Sequence, residues 1–344
     1  MSKKLFDFVI GNPPYQEDPL LGSTRSLPVY DTFMDASYEV SDRTLLITPA
    51  RFLFDAGQTK KEWNQKMLKD PHLKVLFYEP DSSKIFSTTD IAAGVAITYH
   101  DNDATYKPIG IFIKNTQLRS ILEKVAPIDE NESLTAIGES QNNYDFDTLY
   151  RDHPEYSQYI SGEGRHSQLK SNALQKVPIF TANPTSIDDI RVFGLVDGGR
   201  SYKYCPRIYI KPTHRSLMKY KVLLPEAGGS GDFGGVLSDS IVVGPNDGFT
   251  QTFFSLGLFN NSKEADNLAK YVKTKLCRAM LGILKVTHHN PPIKWRYVPL
   301  QDFTDKSDID WSKSISDIDQ QLYRKYDLSK DEIAFIETNV KEMQ

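Results

Sequence analysis

The residues of this chain most able to do chemistry stand together near its start, in Phe6-Asp7-Phe8-Val9-Ile10-Gly11-Asn12-Pro13-Pro14-Tyr15. An apolar run of strand type stops at Gly11 and passes directly into Asn-Pro-Pro-Tyr. Pro13 and Pro14 each fix φ near about −65° and restrict the residue before them, so the tetrapeptide has a stiff backbone that presents its carbonyl groups. An exocyclic amine conjugated to a ring, such as N6 of adenine, is a poor nucleophile because its lone pair is delocalised. If the Asn12 side-chain oxygen and the Pro13 carbonyl each accept one of its N–H bonds, the nitrogen is held closer to tetrahedral and its developing charge is offset. Tyr15 adds a flat face on which a base taken out of its stack can lie. The competing reading is a proline turn with no chemistry. A second copy, Asn290-Pro291-Pro292-Ile293, fits that reading because neither a strand and glycine precede it nor an aromatic follows it. Asp7, inside the apolar run, reads as a strand-end or loop-contacting carboxylate.

The elements that must position this loop are legible in the hydrophobic pattern. Gly22 to Pro28 reads as a flexible loop over the site. Val29 to Val40 follows as a helix with Val29, Phe33, Ala36 and Val40 on one face, then Thr44 to Leu53 as a strand buried on both faces. A polar helix over Lys60 to Lys69 and strands over Leu73 to Tyr78 and Ala92 to His100 complete an α/β alternation with a mainly parallel sheet. At 344 residues the chain is long enough for two domains, and 39% hydrophobic with 25% charged residues is the balance of a globular protein. Cys205 and Cys277 are too few and too far apart for a disulfide framework or a zinc site, so no metal is expected. Without an apolar run of membrane-spanning length or a signal-peptide core, the expected compartment is the cytoplasm and no membrane partner is implied. The net charge of −4 leaves a nucleic-acid partner dependent on a local basic face.

The Asn12–Tyr15 loop resembles motif IV of the S-adenosylmethionine-dependent amino-group methyltransferases, in the Asn-Pro-Pro-Tyr form of DNA adenine-N6 enzymes. The resemblance implies that residues 1–126 form the second half of a Rossmann-like methyltransferase sheet. The first half, with the cofactor loop, is expected before residue 1. The motif IV strand would then have an unpaired edge, so that either a second chain carrying the cofactor-binding half completes the sheet, or the chain is a fragment, or the half-sheet stands alone. The one internal candidate for a cofactor loop is Val222-Leu223-Leu224-Pro225-Glu226-Ala227-Gly228-Gly229-Ser230-Gly231. Asp232-Phe233-Gly234-Gly235 stands where its helix should start, so a turn-rich connection is the preferred reading.

Residues 127–144 are acidic and polar and read as a linker; residues 145–344 read as a mixed α+β domain. Its basic stretch, Arg200 to Lys221, interleaves cations with tyrosines and contains no acid. Such a mixture suits phosphates and base faces, which makes Arg200, Tyr202, Lys203, Arg207, Lys211, Arg215 and Lys219 the candidate DNA-binding residues, against the plainer reading of a solvated face. Arg207 to Lys211 is expected as a strand. Asn261 to Val286 is the best helix of the chain, basic overall, with a reciprocal Asn261/Glu264 cap. His288 and His289 have no third ligand. A capping box at Ser329/Glu332 opens the last helix. From the basic helix through Trp295-Arg296-Tyr297-Val298-Pro299 and Asp319-Gln320-Gln321-Leu322-Tyr323 to the end, the layout resembles the target-recognition region of Eco57I-like restriction-modification methylases. The resemblance implies adenine-N6 methylation of double-stranded DNA within a restriction-modification system, with a restriction subunit as a further partner; no Asp/Glu-x-Lys nuclease triplet is present. The alternatives are a non-catalytic DNA-binding specificity subunit, or a methyltransferase for protein glutamine or RNA.

Overall fold

The computed structural model describes residues 4–17, 26–54, 59–86, 91, 93–113, 115–141, 144–159, 169–170, 172–228, 232–285 and 289–343. They fall into two compact units, 1–119 and 120–344. In the first, β1 (Phe6–Gly11), α1 (Tyr30–Val40), β2 (Ser41–Pro49), α2 (Lys61–Lys69), β3 (Leu73–Glu79) and β4 (Val95–Asp101) follow in sequence. The strands pair in the order β1-β2-β4-β3, β1 parallel to β2 and β4 antiparallel to both of its neighbours. The expected mainly parallel sheet is therefore a mixed one. β1, β2 and β3 do share a direction, as their intervening helices require, but β4 enters between β2 and β3 and runs the other way. Among its described residues the connection into it carries a 3-10 turn, Ser82–Lys84, and no crossover helix of the kind that returns a chain to a parallel neighbour.

One face of this sheet packs on α1 and α2 through Leu46, Leu73, Ala96, Met34 and Met67. The helix face toward the core is Tyr30 and Met34, whereas Phe33 is exposed. This shifts the expected Val29/Phe33/Ala36/Val40 stripe by one residue. Two apolar rows one position apart have nearly the same periodicity, and only the sheet beneath selects between them. β2 also ends earlier than expected. It stops at Pro49, and a 3-10 turn over Ala50–Phe54 buries Phe52 and Leu53. Within the strand, buried and half-buried positions alternate, so it is not enclosed on both faces. Gly94 fixes this corner: its φ is +74°, its carbonyl accepts from Ala50 N–H at 3.0 Å, and a Cβ there would meet the Glu79 carbonyl oxygen at 2.1 Å.

The division between the units falls within α3 (Thr116–Val125). The second unit carries two 3-10 turns, Glu130–Glu132 and Leu134–Ile137, then β5 (Gly138–Glu139), α4 (Phe146–Asp152), α5 (Ala173–Lys176), β6 (Asp189–Val196) and β7 (Gly199–Pro206). There follow β8 (Tyr220–Pro225), β9 (Ile241–Val243), β10 (Asp247–Phe249), β11 (Phe253–Phe259), α6 (Ser262–Tyr271), α7 (Lys275–Gly282), α8 (Ile315–Lys325) and α9 (Lys330–Asn339). One sheet has the order β10-β6-β7, with β6 parallel to β10 and antiparallel to β7; another, antiparallel throughout, has the order β5-β11-β8-β9. The helices α6 to α9 pack with β8 and β11 into a core centred on Leu268, Tyr271, Met280, Trp295 and Leu322.

The single helix expected over Asn261–Val286 is broken in two. Thr274 caps α7 by accepting from Cys277 N–H at 3.3 Å, and the buried carboxylate of Asp319 accepts from Lys275 N–H at 2.8 Å and Leu276 N–H at 3.0 Å. A carboxylate arriving from α8 thus satisfies the free amides of a new helix start, which no local signal in the sequence announces. The expected strand over Arg207–Lys211 is instead a 3-10 turn, Arg207–Tyr209, entered through Pro206. Both designed-looking caps are present: Asn261 and Glu264 bond reciprocally, and Ser329 and Glu332 close a capping box. No helix among the described residues is long and apolar enough to cross a membrane.

Candidate functional site

β1 ends at Gly11 and delivers Asn12, Pro13, Pro14 and Tyr15 at the edge of the first unit's sheet. Asn12 and Pro14 are exposed, while Pro13 and Tyr15 are half-buried. The far side of the loop is tied back to the start of α1: Val29 N–H donates to the Tyr15 carbonyl at 3.2 Å and Glu17 N–H to the Leu27 carbonyl at 2.9 Å. These bonds fix Tyr15 without using Asn12. Burial raises the pKa of the Tyr15 phenol, opposed by the neighbouring Asn12 amide, and the buried Oη lacks a partner at hydrogen-bond geometry. Residues 22–25 of the expected covering loop lie outside the described residues.

Phe86, passed over in the sequence as part of a loop, meets the Tyr15 ring edge to face with centroids 6.4 Å apart. The 3-10 turn after β3 brings it there, its N–H donating to the Ser82 carbonyl at 2.8 Å. Beside Tyr15 opens a cavity of about 250 Å³ lined by Gln16, Tyr30, Pro49, Arg51 and Ile91. The buried Tyr30 phenol is pushed up to about 12 by desolvation, so it is neutral at ordinary pH. Aromatic and apolar walls with a few polar tips are the composition of a site for a planar, partly apolar group.

The candidate cofactor loop does not fit that role. Gly229–Gly231 lie outside the described residues, but Gly228 and Gly234 are packing glycines. A Cβ on the first would meet Ser238 Oγ at 2.2 Å, and one on the second would meet the Asn339 carbonyl at 2.5 Å. Asp232–Gly235 begins no helix.

The seven candidate DNA-binding residues do not share one surface. Arg200 and Tyr202 lie on one face of β7 and Lys203 on the other. Arg207 Nη1 donates to Met218 Sδ at 3.1 Å, Arg215 Nε to the Glu139 carboxylate at 2.5 Å, and Lys219 Nζ to Asn260 Oδ1 at 2.6 Å. Lys211 follows the 3-10 turn and is also engaged. On the expected basic helix, Lys270 donates to the Trp311 carbonyl, Lys275 pairs with Glu337, and the buried Arg278 donates to the carbonyls of Gly234, Gly235 and Lys341. These are internal tethers. His289 forms a bridge with Ala227, and no group of His, Cys, Asp or Glu suited to a metal exists among the described residues.

Two further residues of the β6–β7 sheet escape a charge-cluster reading. Arg191, outside the basic stretch, donates to Asp247 through Nε at 2.7 Å and Nη2 at 2.9 Å, and its guanidinium lies over the Tyr202 ring. Only the pairing of β6 with β10 brings Arg191 and Asp247 together.

Comparison with solved structures finds the type IIG restriction endonuclease BpuSI, with 9% identity over 92% of this chain and 48% of that one, at a TM-score of 0.31. The type IIL restriction-modification enzyme MmeI, solved in complex with DNA, is 10% identical over 96% of this chain and 56% of that one, at a TM-score of 0.30. The ATP-dependent type ISP restriction-modification enzyme LlaBIII, bound to DNA, is 12% identical over 72% of this chain and 24% of that one, at a TM-score of 0.22. The chain thus spans about half the length of BpuSI and MmeI. No curated protein matches it. Residues 1–86, which contain the Asn-Pro-Pro-Tyr loop and Phe86, match the family model of the Eco57I restriction-modification methylases.

Proposed function

We propose that this chain is the acceptor-loop and target-recognition part of a DNA adenine-N6 methyltransferase in a restriction-modification system. The observation that carries the reading is the half-exposed Asn12-Pro13-Pro14-Tyr15 loop at the end of β1, inside the segment that matches the methylase family, with Phe86 against Tyr15 and a cavity beside Tyr15. In this reading an adenine leaves the duplex and stacks against Tyr15. The Asn12 Oδ1 and the Pro13 carbonyl accept the two N6 hydrogens, which localises the nitrogen lone pair for attack. The second unit holds the duplex, with the exposed Arg200 and half-buried Tyr202 on one β7 face and the other basic residues in lesser roles.

The family whose model matches residues 1–86 implies S-adenosylmethionine as the methyl donor, and the packed glycines Gly228 and Gly234 do not fit a loop for it. The sheet does offer a place for a cofactor-binding half, in the same polypeptide or in a second one. β1 is the terminal strand, and its Phe6, Phe8 and Ile10 side chains, 57%, 43% and 74% exposed, share a face with the exposed Phe77 of β3. A free strand edge beside an exposed apolar face suits an added strand and its covering layer.

The test is N6-methyladenine content of DNA in cells that express the chain together with the product of the gene immediately upstream. Asn12→Ala should abolish methylation, an effect of about 10²–10³ on transfer for the loss of one such acceptor, while duplex affinity persists. Methylation that survives Asn12→Ala, or an equal loss of DNA binding, would refute the role of the loop. One other reading is a non-catalytic specificity subunit. Isothermal titration with S-adenosylmethionine separates the two, since that reading expects no binding with or without the upstream product.

A further inference from the structure

β6 and β7 pair so that Arg191, Phe193 and Leu195 stand opposite Tyr204, Tyr202 and Arg200, and these side chains share one sheet face. The middle of this face is closed, with Phe193 buried and Tyr202 packed against it, and toward one end stands its most constrained cation. Asp247, only 1% exposed, is itself held by Gly244 N–H at 2.9 Å and accepts both Nε and Nη2 of Arg191, whose side chain remains 47% exposed. The Tyr202 ring lies 4.7 Å below the guanidinium carbon and sets its plane.

A guanidinium carries five N–H donors, and Asp247 uses two of them. Of the remainder, one on Nη1 and one on Nη2 lie side by side at the end of the fork, in an orientation that the carboxylate and the ring have already fixed. Such a pair of donors matches O6 and N7 of guanine in the major groove, or two oxygens of a phosphate. Charge decides between these. The Asp247 carboxylate neutralises Arg191 at hydrogen-bond distance, so the pair exerts little net attraction on a polyanionic backbone, yet its directional donors are intact for the neutral edge of a base. The preorganisation also reduces the entropy lost on contact.

We propose that Arg191, held by Asp247 and Tyr202, is a specificity-determining residue that reads the O6/N7 edge of a guanine in the target duplex. This assignment rests on the DNA-methylase reading above. Asp247 is then a positioning residue, acting through Arg191, and Arg200 at the other end of the same face supplies a contact of ordinary phosphate type.

The experiment is selection of bound duplexes by the full chain from a library with ten randomised base pairs, followed by sequencing, for the native protein, Arg191→Lys and Asp247→Asn. Lysine keeps the charge and removes the fork. The native chain should enrich a motif with an invariant G·C pair. Arg191→Lys should lose preference at that pair alone, by about 5- to 150-fold, with the salt dependence of affinity unchanged; Asp247→Asn should weaken the same preference. Methylation interference on the enriched duplex checks the contact without any substitution: methylating N7 of that guanine should block binding by the native chain. An unaltered motif with Arg191→Lys overturns the assignment and leaves the ion pair a tie between β6 and β10. A salt slope reduced by about one with the motif unchanged also overturns it, in favour of a phosphate contact. Insensitivity to N7 methylation does the same, even if both variants misfold. Failure of the native chain to enrich any motif overturns the DNA reading itself, and is recognised before any variant is made.

Discussion

The Tyr15 and Phe86 rings meet at 71° with centroids 6.4 Å apart, one on the loop after β1 and the other beyond the 3-10 turn after β3. The contact joins the loop to a part of the chain that nothing in the local sequence links to it. It packs Phe86 against the Tyr15 ring and so limits how that ring can lie.

Phe86→Ala should therefore weaken base capture without weakening duplex binding. Base–aromatic contacts are worth about 1–3 kcal/mol each, so the fluorescence rise of a duplex carrying 2-aminopurine at the target position should need about 5- to 150-fold more protein for the same response. Anisotropy of a labelled duplex should be unchanged. A fluorescence response identical to that of the native chain would remove Phe86 from the site.

Glu332 sets the acid side of stability for the second unit. Burial alone would raise its pKa, but Lys124, Ser120 and Ser329 outweigh burial and hold it at about 2. Lys124 Nζ donates at 2.8 Å, Ser120 Oγ at 2.5 Å and Ser329 N–H at 2.6 Å. A depressed carboxyl pKa contributes stability that is complete above the unfolded value near 4.5 and is lost as pH falls toward 2. Glu332→Gln should cost about 1–3 kcal/mol at pH 7 and flatten urea stability over that acid window. Equal pH slopes for the two proteins would contradict this.

His214 acts in a higher window. Its pKa is pushed down to about 4, first by burial and then by the Lys221 ammonium, so the imidazole is neutral near pH 7 and its 3.8 Å approach to Glu139 is not an ion pair. The unfolded chain takes up this proton near pH 6.5 and the folded one only near 4. Stability should accordingly fall as pH drops from 6.5 to 4, by about 2–3 kcal/mol. His214→Gln should remove that part of the slope while leaving the lower window of Glu332 in place. Guanidinium melts at pH 7, 5.5 and 4.5 measure the His214 window, and melts continued down to about pH 2.5 measure that of Glu332.

Gly94→Ala should destabilise the first unit by at least about 2 kcal/mol. The new Cβ would meet Glu79 O at 2.1 Å and Pro80 Cα at 2.7 Å, backbone atoms that cannot swing aside, at a φ of +74°. A thermal midpoint equal to that of the native chain would show that this corner relaxes.

The rigidity of the loop, its amide oxygen and its aromatic face could be read from the chain because they are properties of neighbouring residues, set by Pro13, Pro14, Asn12 and Tyr15 themselves. Helix starts with their own caps, at Asn261 and Ser329, were legible for the same reason. Local composition did not reveal the end of α6, because the carboxylate that starts α7 belongs to Asp319 on another helix. Nor did it sort the cations. Arg278 and Lys270 are as basic in sequence as Arg200, yet carbonyls brought in from distant segments occupy the first two.

By itself the sequence determined the stiff Asn12–Tyr15 loop, the strand before it, the α/β alternation around it and the caps of the last helices. These depend on dihedral restriction, hydrophobic period and side-chain reach over a few residues. Only the tertiary structure decided that β4 is reversed between β2 and β3, that Phe86 faces Tyr15, that the α1 core face is Tyr30 and Met34, and that Arg191 is fixed by Asp247. Each of these depends on which strands and helices become neighbours. That choice is made by burial of apolar surface and by satisfaction of buried polar groups across the whole unit, and no window of adjacent residues contains it.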